Sequence, residues 1–139
     1  MEREQLNRMI TLAEEARERA YAPYSGFSVG AALLTDQGEV FTGCNIENRS
    51  YPAGLCAERV AVFSAVAAGH DRFRGLVVTG GTKGKKPDDF CIPCGMCLQV
   101  LSEFCTPDFE IFLVKSVDEA AEYRLRDFLP FVFDSLDEK

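Results

Sequence analysis

Leu6, Met9, Ile10, Ala13, Ala16 and Ala20 recur at spacings of three and four among charged residues, the stripe of an amphipathic helix over about residues 3–21. Pro23 and the Tyr24-Ser25-Gly26 turn end it. The Val-, Leu- and Ala-rich run over 27–34 precedes Asp36-Gln37-Gly38, a hairpin signal, so two antiparallel strands are expected near 27–35 and 39–44. A polar loop over 45–52 leads to residues 56–68, apolar over most of a helical surface and therefore expected to be buried; Gly69 closes this helix. Residues 76–79 predict a short apolar strand, and the Gly, Lys, Pro and Asp content of 80–89 predicts an exposed loop. Another helix starts at Pro93 or Cys94 and runs to about Phe104, followed by a strand over 109–114 and one more near 121–125. Helices alternating with strands in this order imply an α/β sandwich, a mixed sheet covered by helices. Without repeats or a linker, residues 1–139 are expected to form one domain.

Composition narrows the function. The chain has 139 residues, 47% hydrophobic, with a formal charge of -7, enough apolar material for a buried core and too little positive charge to attract polyanions. Nucleic acid is not an expected partner. No apolar stretch approaches the roughly 18 residues that cross a bilayer, and the first residues carry no secretion-type segment, so no membrane partner and a cytoplasmic location are expected. In a reducing compartment the six cysteines, Cys44, Cys56, Cys91, Cys94, Cys97 and Cys105, point to metal ligation rather than disulfides.

Cys94-Gly95-Met96-Cys97 follows Pro93, a residue favoured at helix starts, which puts two sulfurs on one face of a first helical turn. Taken alone, this pair fits a redox dithiol, a structural zinc half-site or a chance spacing about equally well. Cys56 opens the other buried helix, so two helix N-termini can meet at a metal, where unpaired N–H groups and dipoles favour thiolate. Three sulfur ligands leave one tetrahedral position of Zn²⁺ for water. Arg59, three residues after Cys56, is placed to offset the negative charge of three thiolates. Glu58 is out of phase with Cys56 for ligation but able to move protons. Cys91, three residues before Cys94, mimics ligand spacing; as a fourth ligand it would exclude water. Asn45 and Glu47, read alone, make a polar turn, and Phe128, Phe131 and Phe133 finish a core.

Cys56-Ala57-Glu58 followed by Pro93-Cys94-Gly95-Met96-Cys97 has the form of a zinc-deaminase signature. With Tyr21-Ala22-Pro23-Tyr24-Ser25, Gly43-Cys44-Asn45-Ile46-Glu47-Asn48, Gln99-Val100 and Leu129-Pro130, the chain resembles the small homotetrameric cytidine deaminases over nearly its whole length. The resemblance implies a three-layer α/β/α sandwich with a mixed five-stranded sheet. It implies one zinc per chain held by Cys56, Cys94 and Cys97, Glu58 as proton shuttle, and a nucleoside substrate. It places Asn45 and Glu47 on the ribose hydroxyls, Phe27 beside the base, and the Ala57 backbone on the base edge. Tyr51 and Phe133 are expected to reach a neighbouring subunit's site. The chain departs from the family at Leu98, where a second arginine is common, leaving charge compensation to Arg59; at Ile92, where serine is usual; and in a longer 80–89 loop. The implied activity is hydrolytic deamination of cytidine and 2′-deoxycytidine in pyrimidine salvage. Its rivals are deamination of a modified cytosine nucleoside such as an antibiotic, and a zinc-stapled binding module without turnover.

Overall fold

The structure, a computed structural model, describes residues 1–133. Helix α1 (Arg3–Arg17) is followed by strands β1 (Phe27–Thr35) and β2 (Val40–Cys44), a 3-10 turn (Tyr51–Ala53) and α2 (Ala57–Ala67). Then come β3 (Phe73–Thr82), α3 (Gly95–Phe104), β4 (Glu110–Ser116), β5 (Glu119–Arg124) and the single turn α4 (Leu125–Phe128). One sheet runs in the order β2-β1-β3-β4-β5, with β3 and β4 parallel and every other pairing antiparallel. It is the mixed five-stranded sheet expected, between two helical layers.

Strand alternation assigns the layers. Val29, Ala31, Leu33, Leu76, Val78, Ile111 and Leu113 turn one way, onto Ala57, Ala61, Val62 and Ala65 of α2 and Leu98 and Leu101 of α3. Ala32, Leu34, Val77, Phe112 and Val114 turn the other way, onto Leu6, Met9, Ile10 and Ala13 of α1. β1 and β3, covered on both faces, are buried at nearly every position.

Two glycines let the helices approach the sheet. A Cβ on Gly30 would strike the Ala13 carbonyl of α1, and one on Gly43 would strike the Ala57 carbonyl and lie 2.5 Å from the Ala61 nitrogen of α2. The helix carrying Cys56 and Glu58 is thereby seated directly on the end of β2. No helix among the described residues is long and apolar enough to cross a membrane.

The structure differs from the sequence reading at three points. α1 ends at Arg17, not near Tyr21, because Tyr21 leaves the helix to bridge Ile46. β3 continues through Gly80, Gly81 and Thr82, which pair with Val29, Ser28 and Phe27, so part of the expected loop is strand. Here cross-strand hydrogen bonding outweighs the weak β-propensity of glycine, and the missing side chains admit close neighbours: a Cβ would meet Cys91 Sγ at Gly80 and Pro87 at Gly81. α2 is buried on one face only. Phe63 and Val66 are 44% and 39% exposed, which corrects the expectation of a helix buried around its circumference.

Candidate active site

Cys56 is the N-cap of α2 and Cys94 the N-cap of α3, both with extended backbone; Cys97 lies in the first turn of α3 and is fully buried. Their side chains converge. Cys56 Sγ is 3.6 Å from Cys94 Sγ, Cys94 Sγ is 3.3 Å from Cys97 Sγ, and all three atoms lie within 4.8 Å of one another. Zn–S bonds of about 2.3 Å at tetrahedral angles set sulfurs about 3.8 Å apart, so these three fit a zinc ion with one coordination position to spare. The Cys97 backbone N–H also donates to Cys94 Sγ at 3.5 Å, as an N-cap acceptor should receive it. Cys91 is not part of this group. Its sulfur sits over Gly80, and burial pushes its thiol up to about 12.

Arg59 Nη2 lies 3.6 Å from Cys56 Sγ, and Arg59 Nε is buried without a partner among the described residues. Hydrogen bonding from Cys97, then from Arg59 and Cys94, draws the Cys56 thiol down to about 5 against the opposing effect of burial. Cys97 is driven far upward, by its contact with Cys56 and then by burial.

Glu58, in the first turn of α2, is 3% exposed. Burial raises its carboxyl to about 7, with the negative charge of Cys56 adding to the rise while its own backbone N–H and Arg59 oppose it. It lines a cavity of about 480 Å³ together with Cys56, Ala57, Cys94, Asn45 and Glu47, a volume in the range of small-molecule sites. Leu98 has no part in the cavity; it is 6% exposed and packs in the core beneath α3.

The far wall of the cavity is built from the segment between β2 and α2 and from the turn before β1. Asn45 Oδ1 accepts from the Val29 N–H and its Nδ2 donates to the Phe27 carbonyl, both at 2.8 Å, splicing this segment to the start of β1. Glu47 Oε1 accepts from the Tyr24 N–H at 3.0 Å and the Ser25 N–H at 3.1 Å, and Oε2 accepts the Ser25 hydroxyl at 2.5 Å. The Ser25 hydroxyl in particular holds the Glu47 carboxyl below its ordinary value. Tyr51, 75% exposed, stands at the rim with its ring 6.2 Å from that of Tyr24.

Two expected residues are not brought to this cavity within the chain. Phe27 is at the first position of β1, 42% exposed and outside the lining. Phe133 is 65% exposed and tied to α3 through its carbonyl, which accepts from Gln99 Nε2 at 3.0 Å. Sequence reasoning in turn passed over Ser25 and Val29, which line the cavity. Ser25 stood in plain view as a helix-stopping turn, but only the fold shows that Glu47, 22 positions on, closes over it.

Comparison with known proteins agrees with this chemistry. The sequence profile of the cytidine and deoxycytidylate deaminase zinc-binding region matches residues 3–113. A cytidine deaminase of Sporosarcina psychrophila is 40% identical over 132 residues, 95% of this chain and 93% of that protein. The crystal structure of cytidine deaminase from Burkholderia pseudomallei superposes with a TM-score of 0.82 at 44% identity, covering 91% of this chain and 97% of that one. A blasticidin-S deaminase of Bacillus cereus is 32% identical over 104 residues, 71% of this chain and 74% of that protein. Matched in sequence and in fold over most of its length, the chain belongs to the cytidine deaminase family.

Proposed function

We propose that this chain is one zinc-dependent catalytic domain over residues 1–139 that hydrolyses cytidine and 2′-deoxycytidine to uridine and 2′-deoxyuridine with release of ammonia. The observation that carries the reading is the three-thiol cluster at two helix N-termini with a buried glutamate beside it in one cavity. Cys56, Cys94 and Cys97 would hold the ion, one per chain. When bound, zinc makes water at its open position acidic enough to react at neutral pH.

Glu58 carries the protons. It takes one from the attacking water and passes it to the ring nitrogen of the pyrimidine. Hydroxide adds at C4; Glu58 then carries the proton of that new hydroxyl to the amino group, and ammonia leaves as the C4–N bond breaks and the C4 carbonyl forms. A carboxyl with an affinity near neutrality suits both halves of that cycle, because it can accept and return a proton at the working pH. Arg59, against Cys56 Sγ, offsets the charge of three thiolates. Asn45 and Glu47 take the sugar hydroxyls and the Ala57 backbone reads the base edge.

Phe27, Tyr51 and Phe133 complete the site in a homotetramer, stacking on or covering the base from their own or a neighbouring chain. Their exposure in the single chain, together with that of Phe63 and Val66, supports this reading. The formal charge of -7 supports a free nucleoside over a polynucleotide, and the need for reduced thiols supports a cytoplasmic, salvage-pathway enzyme. A nucleoside-antibiotic substrate is less favoured, because identity to the blasticidin-S deaminase is lower than to the cytidine deaminase.

The test is an ultraviolet assay on cytidine with zinc quantified in the same preparation. Conversion to uridine with about one zinc per chain is expected; a protein that binds zinc and leaves cytidine intact would be a binding module, and a substrate panel separates cytidine from its modified forms.

A further inference from the structure

The exposed turn before β1 holds a clamp that the reaction scheme does not use. A carboxylate offers about four lone-pair positions. Glu47 spends three of them on this turn: two on Oε1, for the Tyr24 and Ser25 N–H groups, and one on Oε2, for the Ser25 hydroxyl. The position left lies on Oε2, the oxygen whose only partner among the described residues is Ser25. The Ser25 hydroxyl donates to Glu47 Oε2, a charge-assisted O–H···O⁻ bond, so its proton is turned toward the carboxylate. The same hydroxyl oxygen accepts the Phe27 N–H at 3.0 Å. One side chain therefore joins the carboxylate facing the cavity to the first residue of β1, whose carbonyl is held by Asn45.

We infer that Ser25 is a positioning residue for nucleoside binding: its hydroxyl fixes the rotation of the Glu47 carboxylate so that one oxygen is presented to a sugar hydroxyl. The inference rests on the reading above that Glu47 meets the sugar. Removing the hydroxyl leaves both backbone bonds to Oε1 in place, so Glu47 stays near the turn but Oε2 swings free. A ligand hydroxyl must then order it. The cost appears in binding of substrates that carry that hydroxyl, and not in the proton transfers at Glu58, which lies on a separate element.

The experiment compares zinc-loaded wild type, Ser25→Ala, Ser25→Thr, Glu47→Gln and the Ser25→Ala/Glu47→Gln double variant on cytidine and on 2′,3′-dideoxycytidine, which lacks the 2′- and 3′-hydroxyls of the ribose. For Ser25→Ala, KM for cytidine should rise about tenfold, the scale of one hydrogen bond to a charged group, with kcat within about twofold. The ratio of kcat/KM for cytidine to that for dideoxycytidine should fall by a similar factor. Ser25→Thr should restore it, and the double variant should fall no further than Glu47→Gln alone. A ratio that drops in Glu47→Gln but not in Ser25→Ala, or a threonine variant as low as alanine, overturns the role of the hydroxyl while leaving Glu47 on the sugar. Should neither substitution alter the ratio, Glu47 does not read the sugar, and the earlier reading of that residue falls as well.

Discussion

Glu58 shows how a single position acquires its chemistry from its surroundings. On an open surface it would titrate near 4.5; beneath the cavity, shielded by α2 and close to Cys56, it titrates near 7. Replacing it with glutamine keeps the shape and removes the proton carrier, so turnover of cytidine should fall by at least about 10²-fold while the zinc content holds, measured by absorbance and metal analysis. The same residue sets a pH dependence of stability. Its affinity is raised on folding, so its stabilising contribution is complete below about pH 4.5 and is lost as pH climbs through about 7. In zinc-free protein, Glu58→Gln should therefore gain stability over wild type between about pH 5 and pH 8, by up to about 3 kcal/mol in denaturant titrations. An identical difference at both pH values would contradict the burial argument. The identity of this glutamate was legible from its place after Cys56; its affinity was not, because desolvation depends on what covers the side chain.

The elements matter here through their ends. Two helices that begin with cysteine can place sulfur together only if the strands beneath hold those beginnings side by side, and Gly43 is where β2 receives α2. Gly43→Ala forces a methyl into the α2 backbone. It should cost roughly 1–3 kcal/mol in a denaturant melt and, because α2 carries Cys56 and Glu58, should lower kcat/KM as well. A variant matching wild type in both measurements would show that the helix does not depend on this contact. Helix and strand periods were plain along the chain, since burial of one stripe or one face imposes them. The continuation of β3 over Gly80 and Gly81 was not, because residues without side chains carry no period and only pairing with β1 reveals them as strand.

The whole molecule exposes apolar groups a lone chain has no use for: Phe63 and Val66 on the outer face of α2, Tyr51 at the cavity rim, and Phe133 on the tail. Association as a homotetramer would cover them. Sedimentation equilibrium should give four chains, and Phe63→Arg should shift the population to smaller species with lower activity per chain; a monomeric wild type with full activity would rule out sites completed by neighbours. The six residues after Phe133 lie outside the described part of the chain. What the sequence by itself determined is local chemistry and periodicity: which residues offer sulfur, carboxylate and amide, which stripes must be buried, and which spacings match a zinc deaminase. The three cysteines that the sequence named do meet, but the tertiary structure alone decided why Cys91 stands apart over Gly80, how far Glu58 is desolvated, and that Ser25 locks Glu47. Those depend on distances between residues far apart in the chain, set by the packing of helices on the sheet, and no local pattern encodes them.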